Sequence, residues 1–159
     1  MKDQVTSIEQ SKRLIELGVP ADKASMVWWP VAEYTGKGFE MKLTGEYYLY
    51  SKDGVSPQYQ NVIFKAFTVA DLLKKVLPNV IQDAHNTYEL TLKAVVGGGW
   101  RFCYTPVLTP LEADNSGLFS CFHGFRGLAN IGDEMGDNLI ELLCNRIEWI
   151  VSNGYGLNL

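Results

Sequence analysis

The stretch DNLIELLCNRIEWIVS, residues 137–152, decides the fold expected for this chain. When its side chains are placed at about 100° per residue, the polar ones fall on one narrow strip and apolar ones occupy nearly all the rest. The apolar arc is about twice as wide as the arc typical of a surface helix. The sequence therefore predicts a long buried C-terminal helix onto which the other elements pack. The polar strip comprises Asn138, Glu141, Asn145, Glu148 and Ser152.

Two upstream stretches alternate with the period of two that half-buried strands show. In the first, Phe39, Met41 and Leu43 alternate with polar residues, and Gly45 marks a candidate bulge before the aromatic run of residues 47–50. In the second, residues 88–107 form two alternating runs on either side of three consecutive glycines. That pattern predicts a hairpin with one buried and one solvated face. Further extended segments are expected at residues 26–31, 62–67 and 118–125.

Two further helices carry start signals. Thr6 or Ser7 is a candidate cap for a helix that reaches about Leu17, with Thr6 and Glu9 at capping-box spacing. Thr68 opens a shorter helix that ends before Pro78. The order of elements predicts an α+β fold: an antiparallel β-sheet with hairpin connections, helices packed on one face, and the long buried C-terminal helix. We expect residues 1–159 to form a single domain.

Composition indicates a cytoplasmic globular protein. The chain is 47% hydrophobic and 20% charged, with a net charge of −4, which argues against nucleic acid as a partner. An odd number of widely spaced cysteines predicts reduced thiols rather than a disulfide framework. The first ten residues lack the apolar core of a signal peptide, and no apolar run is long enough to cross a membrane.

Three segments carry a resemblance to a family. They are TSIEQSKRLIELGV, FKAFTVADLLKKVLP and DNLIELLCNRIEWIVSNGY. Together they resemble a family of short uncharacterised proteins of gut anaerobes, often encoded in prophages or other mobile elements. The chain differs from the family pattern by extra residues around 36–60 and 109–116. The resemblance implies a fold and a genomic setting, and it implies no catalytic residue.

The candidate catalytic residues are Cys121 and His123. In a strand these two side chains point the same way, and a thiol beside an imidazole is the beginning of a nucleophilic pair. Phe119 and Phe125 share that face, so burial in a core is the competing interpretation. No metal site and no cofactor is predicted, because the histidines and cysteines are too scattered. The acidic residues Asp133, Glu134 and Asp137 are interpreted as a favourable charge before the last helix.

Arg146 falls inside the apolar arc of the last helix. A guanidinium there must pair with a carboxylate, reach solvent or cost several kcal/mol. We expect a structural salt bridge, with Glu9 or Glu141 as candidate partners. The alternative is a site for an anionic ligand or for a partner protein.

Aromatic residues are concentrated in the first third of the chain, and those singled out as ligand or interface candidates are Trp28, Trp29, Tyr48 and Tyr50. Alternation places Tyr48 and Tyr50 opposite to Tyr47 and Leu49, so one of these two sets can be exposed. Exposed aromatic side chains suit a protein interface or a sugar-stacking surface, whereas a sheet core uses the same residue types.

Three functions follow from these patterns. The first is a non-enzymatic interaction module of a mobile element, acting through self-association or a protein partner. The second is a small-ligand binding protein, for a sugar or an anion. The third is a small hydrolase or transferase that depends on the candidate Cys/His pair.

Overall fold

The computed structural model describes residues 4–34, 41–59, 62–107 and 130–158. The fold is α+β, as the sequence predicts, with two antiparallel sheets and three helices in the described residues. The chain divides into two compact units, one of Met1–Leu77 with Asn158–Leu159 and one of Pro78–Leu157. The expectation of a single domain stays a prediction. The predicted strand at residues 118–125 lies outside the described residues.

The first unit contains a three-stranded sheet of β1 Met26–Tyr34, β2 Met41–Ser51 and β3 Phe64–Ala66, in the spatial order β2-β1-β3. Its helices are α1 Ile8–Glu16 and the short α2 Val69–Asp71. Helix α2 is followed directly by a turn of π-helix at Leu72–Val76, where Leu77 N donates to Leu72 O over 2.8 Å. Short 3₁₀ turns connect the other elements.

Helix α1 begins one residue later than the Thr6–Glu9 capping box requires. Ser7 is the N-cap: its Oγ accepts from the Gln10 N–H, and the Gln10 side chain accepts from the Ser7 N–H. Thr6 is instead buried, with its Oγ 2.7 Å from Ser11 Oγ and 2.8 Å from Phe67 N. The Ser7 candidate is therefore confirmed, and the Thr6–Glu9 box is wrong, because the Thr6 hydroxyl hydrogen-bonds Ser11 and the backbone of Phe67.

Strand β1 pairs with β2 along its length and with β3 only at residues 26–28. Trp28 is buried, and its indole Nε1–H donates to Thr6 O over 2.9 Å. Tyr47, Leu49 and Phe64 pack around it from the neighbouring strands. This contact fixes which face of the sheet is the inner face, since successive side chains point to opposite faces.

The bulge predicted at Gly45 is confirmed. Gly45 has a φ of +83°, and the register between β1 and β2 shifts opposite it, because Pro30 pairs with Tyr47 but Ala32 pairs with Leu43. Strand β2 thus carries two extra residues at this point. Glycine suits such a site because it adopts positive φ without steric cost.

Helix α2 starts with the predicted cap at Thr68 and is held by a buried carboxylate. Asp71 is 2% exposed and accepts hydrogen bonds from Thr68 N, Ser25 N and Ser25 Oγ, and it pairs with Lys75. Burial alone would raise the pKa of Asp71, but the hydrogen bonds from Lys75, Ser25 and Thr68 outweigh it and lower the pKa to about 2. Asp71 therefore ties the start of α2 to the residue before β1.

The second unit contains four strands and the C-terminal helix: β4 Val80–Gln82, β5 Thr87–Ala94, β6 Trp100–Pro106, β7 Ile131–Gly136 and α3 Leu139–Ser152. The strands form one sheet in the spatial order β4-β5-β6-β7, and α3 packs against β6 and β7. The predicted hairpin at residues 88–107 is confirmed as β5 and β6, and the glycines at 97–99 all have positive φ in its turn.

Helix α3 is the long buried helix that the sequence predicts. Leu143, Ile147 and Ile150 have no exposed surface, and Asn138 caps the first turn by accepting from the N–H groups of Ile140 and Glu141. At the other end, Gly154 has positive φ and Tyr155 N donates to Ile150 O, which closes the helix in a Schellman motif. In the described residues, none of the helices combines the length and the apolar character needed to cross a bilayer.

The buried Asp71 generates a pH prediction. The folded pKa of about 2 lies below the ordinary aspartate pKa of 3.8, so the carboxylate stabilises the fold above about pH 4, and this stabilisation disappears as the pH falls towards 2. Asp71→Asn should lower the free energy of unfolding by about 2 kcal/mol at pH 7 and flatten its decline between pH 4 and 2. Urea unfolding across this pH range measures both effects.

The matched control is Asp53→Asn, which removes an exposed carboxylate from a turn of the same unit. It should change stability at pH 7 by less than about 0.5 kcal/mol. Equal losses for the two variants would contradict the role assigned to Asp71.

Candidate functional site

The outer face of the first sheet carries a cluster of aromatic side chains. Alternation along β2 points Tyr47 and Leu49 towards the core around Trp28, and it points Tyr48 and Tyr50 the other way. Tyr48 is 58% exposed and Tyr50 is 50% exposed. The aromatic run therefore supplies both core and surface, because its residues belong to the two faces of one strand.

We call Trp29, Tyr48, Tyr50 and Tyr59 the aromatic strip. Trp29 lies directly opposite Tyr48 in the register of β1 and β2. Its ring contacts Tyr59 edge-on at a centroid distance of 5.0 Å and Tyr50 at 6.4 Å. Edge-to-face pairs of this kind stabilise one another, so the strip is a supported surface rather than a set of independent side chains.

Trp28 does not belong to the strip. It was a ligand or interface candidate in the sequence, but only 8% of its surface is exposed and its one polar atom is bonded to Thr6 O. The prediction for Trp28 is corrected on this physical ground: its side chain lies on the face of β1 that packs in a buried cluster with Val5 and Ala66. Trp29, the next residue, is partly exposed on the outer face.

No pattern in the sequence singles out Tyr59, the fourth member of the strip. It lies in a short 3₁₀ turn, is 42% exposed and contacts Trp29. No periodicity in the sequence connects a turn residue with a strand thirty positions away, so only the tertiary contact reveals this member of the strip.

Arg146 occupies a second polar site, within the second unit. Its side chain is buried, it pairs with Glu134, and its Nη1 donates to Gly132 O over 2.7 Å. The guanidinium carbon lies 5.4 Å from the ring centroid of Trp149, which is a cation–π distance. Its Nε is buried and has no hydrogen-bond acceptor among the described residues.

The partner of Arg146 differs from the sequence expectation. Arg146 forms a salt bridge, but with Glu134 on β7 rather than with Glu9 or Glu141. The interpretation of Glu134 and Asp133 as charges before a helix is also wrong, because both lie within strand β7. Asp133 there pairs with Arg101 on the adjacent strand β6, with Arg101 Nε 2.8 Å from Asp133 Oδ1. The role of Arg146 as an anion site stays a prediction.

The candidate pair Cys121 and His123 lies outside the described residues, so its catalytic role stays a prediction. The other two cysteines, Cys103 and Cys144, are buried. Within residues 4–34, 41–59, 62–107 and 130–158, no three histidine, cysteine, aspartate or glutamate side chains are grouped to hold a metal ion.

The class that this geometry defines is an α+β protein with two antiparallel sheets, one of which presents an exposed aromatic surface. Comparison of the chain with protein-family models, curated protein sequences and solved structures gave no match. The candidate site therefore rests on the contacts and exposures described above.

The two acidic residues of β7 provide a test of the Arg146 site. Glu134→Gln leaves the buried guanidinium without its counter-charge, and it should lower the free energy of unfolding by about 2–3 kcal/mol. Asp133→Asn breaks the neighbouring pair with Arg101, whose side chains are 46% and 39% exposed, and it should cost less than about 1 kcal/mol. Urea unfolding of both variants measures the difference, and equal losses would show that burial does not set the importance of these pairs.

Proposed function

We propose that the protein is a non-enzymatic, self-associating interaction module and that the aromatic strip is its binding surface. The observation that carries the proposal is the exposure of Tyr48 and Tyr50, which lie on one face of one strand beside Trp29. Aromatic side chains are enriched in protein interfaces, and exposed apolar patches mark interaction sites. The setting in a mobile element and the cytoplasmic location belong to the proposal and rest on the resemblance and the composition.

The size of the strip sets what it can contribute. A tyrosine presents roughly 200 Å², so half-exposed Tyr48 and Tyr50 offer about 100 Å² each. Burial of both residues in two copies removes about 400 Å² from water, equivalent to about 10 kcal/mol. Association itself costs about 4–15 kcal/mol. The gain and the cost are of similar size, so the strip needs a further contribution to produce a tight dimer.

Sedimentation velocity over a wide range of protein concentration tests the proposal. The wild type should form a reversible dimer, and the double variant Tyr48→Ser/Tyr50→Ser should dimerise about a hundredfold more weakly, because most interface energy resides in buried aromatic anchors. Far-ultraviolet circular dichroism checks that the variant remains folded.

The control is Val80→Ser/Met135→Ser, which removes two exposed apolar side chains from the sheet of the second unit. It should leave the dimer unchanged. A wild-type protein that is monomeric at every concentration, or a control that weakens the dimer equally, would overturn the proposal.

A further inference from the structure

We infer that the second copy is held by antiparallel pairing of β2 with β2, about a two-fold axis that passes beside Leu49. The two three-stranded sheets then join into one six-stranded sheet. This inference rests on the proposed function, and it adds the missing contribution, since strand pairing supplies backbone hydrogen bonds along the same residues that carry the aromatic strip.

Strand β2 is the longest free edge in the described residues. It has eleven residues and pairs only with β1 in that part of the chain. The edge strands β3 and β4 have three residues each. The edge strand β7 carries Asp133, Glu134 and a glycine at positive φ, which are features that discourage edge pairing.

The two halves of β2 differ in how well they are protected. The first half contains Lys42 and the bulge at Gly45, and charges and bulges are the usual means of blocking an edge. Residues 47–51, with the sequence YYLYS, contain no charge, no proline and no bulge. An unblocked edge segment of five residues is long enough for a specific strand pair.

The direction of the backbone groups limits the possible registers. Lys52 N donates to Ser25 O over 3.0 Å, so the backbone of Lys52 faces β1. Because this direction alternates and the register is regular from Pro30 to Met26, the N–H and C=O groups of Tyr47, Leu49 and Ser51 face the free edge. Only odd-numbered residues of this segment can therefore exchange hydrogen bonds with a second copy.

Charge complementarity selects one register among those that remain. With the axis beside Leu49, Leu49 faces Leu49 of the other copy and Tyr47 faces Ser51, which gives about six backbone hydrogen bonds. In the same register Tyr48 faces Tyr50 on the aromatic face, and Glu46 faces Lys52 twice, once at each end. An axis beside Tyr48 places Glu46 opposite Tyr50, and an axis beside Tyr50 places Lys52 opposite Tyr48. Neither of these registers forms the two Glu46–Lys52 ion pairs.

Lys52 can form the pair without losing its present contact. Its Nζ donates to Asp22 O over 2.8 Å, and an ammonium group has three donors. The Tyr48–Tyr50 contacts are non-hydrogen-bonded pairs, in which side chains approach most closely and aromatic pairing is favourable. The strip and the edge thus act in one interface.

A charge exchange tests the register by sedimentation velocity. Glu46→Lys and Lys52→Glu should each weaken the dimer about tenfold, because each creates two like-charge contacts. The double variant Glu46→Lys/Lys52→Glu restores opposite charges and should return the dissociation constant to within about threefold of the wild type. Glu89→Lys, an exposed residue of the second unit, is the control and should have no effect.

A cysteine experiment tests the geometry directly. Tyr48→Cys protein, mixed with Tyr50→Cys protein in a Cys121→Ser background and oxidised, should give the 48–50 disulfide between copies, identified by peptide mapping. The expected Cα separation of that pair is about 4.5 Å, whereas the 48–48 pair lies about 7–8 Å apart, beyond ordinary disulfide geometry. Predominant 48–48 or 50–50 disulfides would overturn the inferred register.

The results separate the inference from the proposed function. A dimer that is weakened by the tyrosine variants but shows no rescue by the charge exchange and no 48–50 disulfide would overturn edge pairing, and it would indicate association through stacked aromatic faces. A wild-type monomer at every concentration would overturn both the inference and the proposed function.

Discussion

The hydrogen bond from the Trp28 indole to Thr6 O is the constraint on which the first unit depends. It fixes a large aromatic side chain on the inner face of β1, and the same threonine bonds Ser11 on α1 and Phe67 after β3. A slip of one residue would transfer every side chain of the strand to the other face, so a buried tryptophan specifies the register strongly. Trp29, Tyr48 and Tyr50 therefore lie on the opposite face of the sheet, where Tyr48 and Tyr50 are at least half exposed.

Interior charges in both units are held by similar means. Asp71 receives hydrogen bonds from two backbone segments and from Lys75, and Arg146 has a carboxylate, a carbonyl and an indole ring around it. In each case the charged group joins two elements of the fold. Such groups are costly to bury alone, and they favour a single arrangement of their neighbours once they are paired.

Most elements and the β5–β6 pairing were predictable from the sequence, and most side-chain contacts between elements were not. The hairpin of β5 and β6, the bulge at Gly45 and the burial of α3 all follow from local periodicity and from glycine. Of the two candidate caps of α1, Ser7 is the one used, because the Thr6 hydroxyl is engaged in a tertiary contact. Strand β7 is not predicted by the sequence, because Asp133 and Glu134 are interpreted there as favourable charges before the last helix. In the structure these two residues lie in β7 and pair with Arg101 and Arg146.

The sequence by itself determined the α+β class, the amphipathic and buried helices, and the fact that Tyr48 and Tyr50 share one face. These features depend on periodicity, which is a local property of the chain. Only the tertiary structure decided which face is outer, that Trp28 is buried, that Tyr59 joins the aromatic strip and that Glu134 is the partner of Arg146. The reason is that each of these depends on contacts between residues distant in sequence, which periodicity does not encode.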